Sequence, residues 1–126
     1  MLQEACLALA IYWEARNQPT SGQQAVAEVV INRSNSSKFP KGICAVVTET
    51  CDFSFYCDGL SDVPKEKSAW QKALKIAKNA LVSTTRILPK TTYYFHNTTV
   101  SPPFFKKKTF VTQIGSHKFY KEKARI

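Results

Sequence analysis

The sequence predicts an α+β fold, mainly helical, with a small antiparallel β element in its C-terminal third. Three observations predict it. Apolar residues recur at helical spacing over three segments before residue 83. From Thr91 the chain changes to β-branched and aromatic residues. No repeat and no Gly/Pro/Ser-rich linker interrupts the 126 residues, so the expectation is one catalytic-size domain over 1–126, without a separate binding domain.

The first helix is expected over 2–16, where Leu2, Cys6, Leu9 and Trp13 form a stripe at spacings of four, three and four. Asn17-Gln18-Pro19 ends it, because Pro19 disfavours helix at the residue before it. Ser21-Gly22-Gln23-Gln24 reads as a capping box with Ser21 as N-cap, opening a second helix to about Asn32. Ala25, Val26, Val29 and Val30 should face inward, and Glu28 should lie on a solvated face. Residues 34–59 read as loop with little regular structure. Pro64 is expected to open a third helix to Val82, with Trp70, Ala73, Leu74, Ala77 and Leu81 inward and Lys65, Lys72, Lys75 and Lys78 in water. Residues 91–96 read as a strand and residues 110–115 as its antiparallel partner.

Composition bounds the function. Hydrophobic residues make up 44% and aromatics 12%, which excludes a disordered chain. The longest apolar stretch, about Ala5 to Trp13, is too short to span a bilayer. The net charge is +9, with −3 on residues 1–63 and +12 on residues 64–126. Such a protein favours a polyanion. Met1-Leu2-Gln3-Glu4 lacks the basic n-region of a secretory signal, so the chain is read as mature or as delivered without its own signal. Cysteines stand at 6, 44, 51 and 57 without a C-x-x-C pair. A disulfide among Cys44, Cys51 and Cys57 is expected, and a metal site is not. Four cysteines allow three full pairings, and spacing does not choose among them.

Glu14 is the acid most suited to chemistry. A carboxyl beside Trp13 on an apolar helix loses hydration and keeps its proton to higher pH, as a general acid requires. The competing expectation is that it pairs with Arg16 or faces water. His96 and His117 are too few for a catalytic zinc, which takes three protein ligands.

Seven fragments, in order along nearly the whole chain, together resemble the spore-cortex-lytic (SleB-type) cell-wall hydrolase family. They are residues 11–16 (Ile-Tyr-Trp-Glu-Ala-Arg), 22–33, Phe39-Pro40 with 43–47, 53–59, Tyr93-Tyr94-Phe95-His96, Ser101-Pro102-Pro103-Phe104 and 114–120. The resemblance implies a lysozyme-like cleft between a helical lobe and a small β lobe. It also implies lytic transglycosylase action on the bond between N-acetylmuramic acid and N-acetylglucosamine, with Glu14 as the catalytic acid and no cofactor. Asn32, Ser54, Asp58, Tyr94, His96 and His117 match motif positions and should line or brace the cleft. Of these, Tyr94 and His96 are expected near the reacting sugar, and His117 behind them. Asn17-Gln18 stands where the family often has Gly-Glu, and Phe55 and Phe104 where tryptophan is usual.

The expected partners are peptidoglycan glycan strands and, by charge, anionic wall polymers. No specific nucleic acid, no transmembrane segment and a monomer are expected. The expected role is a bacteriophage endolysin that reaches the wall through a membrane lesion made by another protein. The competing functions are a wall amidase and a non-enzymatic basic module that binds polyanions.

Overall fold

The computed structural model describes residues 2–49 and 51–123. Met1, the first residue of the segment tested for a signal, lies outside them. Among the described residues are four α-helices: α1 (Gln3–Ala15), α2 (Thr20–Ser34), α3 (Ile43–Thr48) and α4 (Lys67–Val82). Short 3-10 turns occupy Ser54–Cys57 and Pro103–Lys107. The strands are β1 (Thr92–Asn97), β2 (Lys108–Ile114) and β3 (His117–Glu122). The result is a helical lobe beside a small antiparallel lobe, as the resemblance implied. No described helix is long and apolar enough to cross a membrane.

Helix α1 is enclosed rather than amphipathic. It packs against α2, α3 and α4 and buries Leu7, Ala8, Ala10, Ile11 and Tyr12 as well as Cys6. The expected stripe is therefore too narrow, and Leu2, placed before the first turn, is 78% exposed. Helix α2 is likewise buried on several sides, with Ala25, Val26, Val29 and Val30 inside as expected. It starts at Thr20 with Pro19 at the cap, and no side chain caps it. Ser21 is not the N-cap, because Pro19 holds φ at −59° and its carbonyl already accepts from the Gln23 amide at 3.0 Å.

Three further expectations change. The 34–59 stretch contains α3, which buries Ile43, Val46 and Val47 against the helical core. Pro64 precedes an extended approach, and α4 begins at Lys67. Lys65, Lys72, Lys75 and Lys78 are exposed as expected, although Lys65 precedes α4, and Ile76 and Ala80 are buried while Leu81 is exposed. The inward face is thus turned slightly from the one expected.

The sheet order is β1-β3-β2, all antiparallel. Residues 108–114 therefore do not pair with β1 as expected. The unexpected strand β3 lies between them. Gly115 and Ser116 make the β2–β3 turn, with Gly115 at φ +56°. A side chain there would also collide with the Gln18 amide oxygen, which accepts from the Ser116 amide at 2.8 Å. Gln18 thus staples the hairpin to the α1–α2 connection. Phe119 and His117 of β3 face the helices and are buried.

Two disulfides add covalent restraint. Cys51–Cys57 closes a short loop within the expected cluster. Cys44 pairs with Cys6, 38 residues away, and ties α3 to α1. Loop-closure entropy makes the longer link worth about 4 kcal/mol and the shorter about 2 kcal/mol.

Candidate active site

The last turn of α1 is fixed on both sides of Glu14. The Trp13 indole donates to the Asp62 carbonyl at 3.0 Å and stacks on Phe55. The Tyr12 hydroxyl accepts from the Glu66 amide at 3.0 Å. Arg16 lies over the Tyr12 and Trp13 rings and is paired with Glu66. Arg16 therefore does not neutralise Glu14.

Glu14 enters a cleft of about 230 Å³ between the lobes. Ser54 and Phe53 line it from the Cys51–Cys57 loop, Arg33 from the end of α2, and Phe95, His96 and Asn97 from the end of β1. His117 and Asp52 complete the wall. Among the described residues Glu14 makes no ion pair. Burial alone pushes its carboxyl from an ordinary 4.5 up to about 7.

The cations and histidines are arranged differently. Arg33 donates from Nε to the Tyr93 carbonyl at 2.7 Å and from Nη1 to Asp52 at 3.2 Å. Burial lowers its pKa from the ordinary value, opposed by Asp52. Its guanidinium also sits over the Phe39, Phe53 and Tyr94 rings. Arg33 and Asp52 were not among the expected site residues. Asn32-Arg33 at the end of a helix motif was the available signal.

His96 donates from Nδ1 to the Asn97 carbonyl at 2.8 Å, since a carbonyl only accepts. Its Nε2 then accepts from the Tyr120 hydroxyl at 2.9 Å in the neutral ring. His117 is 4% exposed, and its Nδ1 is buried without a partner. Burial lowers its pKa, with His96 adding in the same direction. Burial thus disfavours the charged ring.

Of the expected residues, the structure brings Glu14, Ser54, His96 and His117 into one cleft. Asn32 is not in it. Its buried amide donates to the Pro89 and Thr92 carbonyls at 3.2 and 2.9 Å and braces the entry to β1. Asp58 is exposed and caps its own turn by accepting from the Leu60 amide. It stands beside Trp13 and Phe55 rather than beside the cleft. Tyr94 points to the outer sheet face, packing on Phe39 and Phe104 and donating to Glu122. Burial and that bond push its pKa up to about 12. Tyr94 shares its strand face with His96, but its ring is taken up by Phe39, Phe104 and Glu122 and does not line the cleft. Among the described residues no group of three or more His, Cys, Asp or Glu side chains is placed to hold a metal ion.

Comparison with known proteins bears on the family and the fold. The chain is 34% identical over 113 residues to the spore cortex-lytic enzyme of Bacillus subtilis (strain 168), covering 90% of this chain and 35% of that one. It is 33% identical over 115 residues to the corresponding enzyme of Bacillus cereus, covering 91% and 42%. The chain thus spans well under half the length of these relatives. The catalytic domain of the germination-specific lytic transglycosylase SleB from Bacillus anthracis superposes with a TM-score of 0.79 at 29% identity, covering 94% of this chain and 93% of that one. The Bacillus cereus SleB catalytic domain gives 0.73 at 26% identity, covering 94% and 89%. The sequence model of the cell wall hydrolase family matches residues 17–120. That match begins just after Glu14, so Glu14 stands on the geometry of its cleft. With most of the chain matched and both lobes superposing, the chain belongs to the cell wall hydrolase family.

Proposed function

We propose that this chain cleaves the bond between N-acetylmuramic acid and N-acetylglucosamine in peptidoglycan, as a lytic transglycosylase. The observation that carries this reading is Glu14, a half-buried carboxyl without an ion pair among the described residues, held near pKa 7 in a polar cleft. Such a group is protonated and deprotonated in comparable amounts at neutral pH, which suits it to both steps. As acid, Glu14 protonates the glycosidic oxygen while the bond to the muramoyl C1 breaks. As carboxylate, it takes the proton of the muramoyl C6 hydroxyl as that oxygen attacks C1. A 1,6-anhydro ring closes, the other sugar leaves with its hydroxyl, and no water is consumed. The similarity to a solved lytic transglycosylase domain supports the same outcome.

Ser54, His96, Asn97 and His117 are proposed to position the sugars in the cleft. The Arg33–Asp52 pair is proposed to hold its wall. Mass spectrometry of products from purified peptidoglycan should show anhydro-muramoyl ends, lighter by one water than reducing ends. Reducing muramic ends would mean hydrolysis. New amino termini on the stem peptide would mean an amidase.

Attraction to the anionic wall is part of the proposal. Lys106 and Lys107 are exposed in the turn before β2, whereas Lys108 is already paired with Glu122. The cleavage rate on whole wall should fall with added salt. Replacing Lys106 and Lys107 with Gln should flatten that dependence, and an unchanged slope would remove these lysines from recruitment. The endolysin role belongs to the same proposal. Efficient lysis of intact cells by protein added from outside would count against it.

A further inference from the structure

A second pocket, of about 330 Å³, opens at the other end of β1. It is lined by Asn32, Asn35, Arg86, Lys90, Thr91 and Tyr93. Its charged side chains are both cationic. Among the described residues neither Arg86 nor Lys90 forms an ion pair. The neighbouring acid, Glu28, points inward and is occupied by the amides of Ile87 and Leu88. Asn32 holds Pro89 and Thr92 from the other side. Buried polar anchors therefore fix the segment that carries the two cations, so that binding there costs little ordering of the backbone.

The pocket and the cleft both take lining residues from β1. Tyr93 lines the pocket, Phe95 and Asn97 line the cleft, and the Tyr93 carbonyl is held by Arg33 of the cleft. At about 3.3 Å per strand residue, Tyr93 lies about 7 Å from Phe95 and about 13 Å from Asn97. An extended peptide covers that span in about two to four residues. In peptidoglycan a peptide leaves the muramoyl sugar through its lactyl group, and its second and third residues carry free carboxylates.

We propose that this pocket binds the carboxylate-bearing stem peptide of the glycan strand held in the cleft, an inference that rests on peptidoglycan being the substrate. Arg86 and Lys90 pair with the peptide carboxylates, and Asn35 and Thr91 offer hydrogen bonds to its amides.

The test is a titration of the full chain with the free tripeptide L-alanyl-γ-D-glutamyl-meso-diaminopimelate, followed by amide NMR shifts. Saturable shifts at Asn35, Thr91 and Tyr93 are expected. The Arg86→Gln/Lys90→Gln double variant should bind at least about tenfold more weakly, and so should the tripeptide with its carboxylates amidated. Arg86→Lys should retain binding. The proposal is overturned by an absence of saturable binding, by equal binding of the amidated peptide, or by glycerol phosphate binding the site more tightly than the tripeptide. The tripeptide has no glycosidic bond. Retained binding with no glycan cleavage would therefore refute the proposed reaction, whereas cleavage without tripeptide binding would refute the pocket.

Discussion

Glu14→Gln is expected to reduce glycan cleavage by about 10²–10⁴-fold while leaving the fold intact. Gln matches the carboxyl in size, and no ion pair among the described residues is lost with it. What disappears is the transferable proton. The same substitution should change stability in the opposite direction. The folded-state pKa of Glu14 is about 7 against an ordinary 4.5, so the native state binds the proton more tightly than the unfolded chain. Native stability is therefore undiminished below about pH 4.5, declines as pH rises, and has lost the full amount above about pH 7. The loss is up to about 3 kcal/mol. Glu14→Gln removes it, so the variant should be more stable than the parent at pH 8 and about equal at pH 4. Chemical denaturation at the two pH values checks this. The parent's cleavage rate should also fall as pH rises above about 7, because the acid form is consumed. Full activity in Glu14→Gln would end the assignment, and equal stability at both pH values would mean the carboxyl is better solvated than the cleft suggests.

How far the sequence foretold this site depends on which physical signal placed each residue. Glu14 was legible because its neighbours Trp13 and Ala15 lie on a helix with too many apolar residues to be solvated. Ser54, His96 and His117 were reached through motif positions, and the fold brings them together with Glu14. Tyr94 was misplaced because Phe39, Phe104 and Glu122, which take up its side chain, are distant in sequence and meet it only in the folded sheet. Arg33 was passed over since a helix-terminal arginine ordinarily faces water. Here it is buried among three aromatic rings and held by Asp52 and a strand carbonyl. Strand β3 escaped notice because three of its six residues are charged, although the Gly115-Ser116 turn before it was visible. Spacing left the disulfide pairing open, because Cys44 lies nearly as close to Cys51 as Cys57 does, and α3 docking against α1 is what gives Cys44 to Cys6.

Glu28 is the largest misreading, and its replacement should have the largest effect on stability. A polar residue in mid-helix was assigned to a wet face, yet Glu28 is 1% exposed. The assumption of one wet face fails because α2 is packed by α1, α3, α4 and β1. The Glu28 carboxylate accepts from the Ile87 amide at 3.1 Å, the Leu88 amide at 2.9 Å and the Gln24 side chain at 3.1 Å. Those amides lie in the segment between α4 and β1, where Leu88 is buried and no regular hydrogen-bond ladder serves the backbone. Glu28→Ala leaves both amides without an acceptor and opens a cavity. The expected cost is about 3–5 kcal/mol, or a fall in Tm of about 10–20 °C. Glu28→Gln keeps one acceptor oxygen and should cost about half as much, with cleavage retained at temperatures where the variant is folded. Because the same segment carries Arg86 and Lys90, Glu28→Ala should also loosen amide protection at residues 86–90 before global unfolding, as read by hydrogen exchange. A Glu28→Ala protein with parental Tm would show that the loop is held by its own packing, and that the buried carboxylate serves some purpose other than anchoring it.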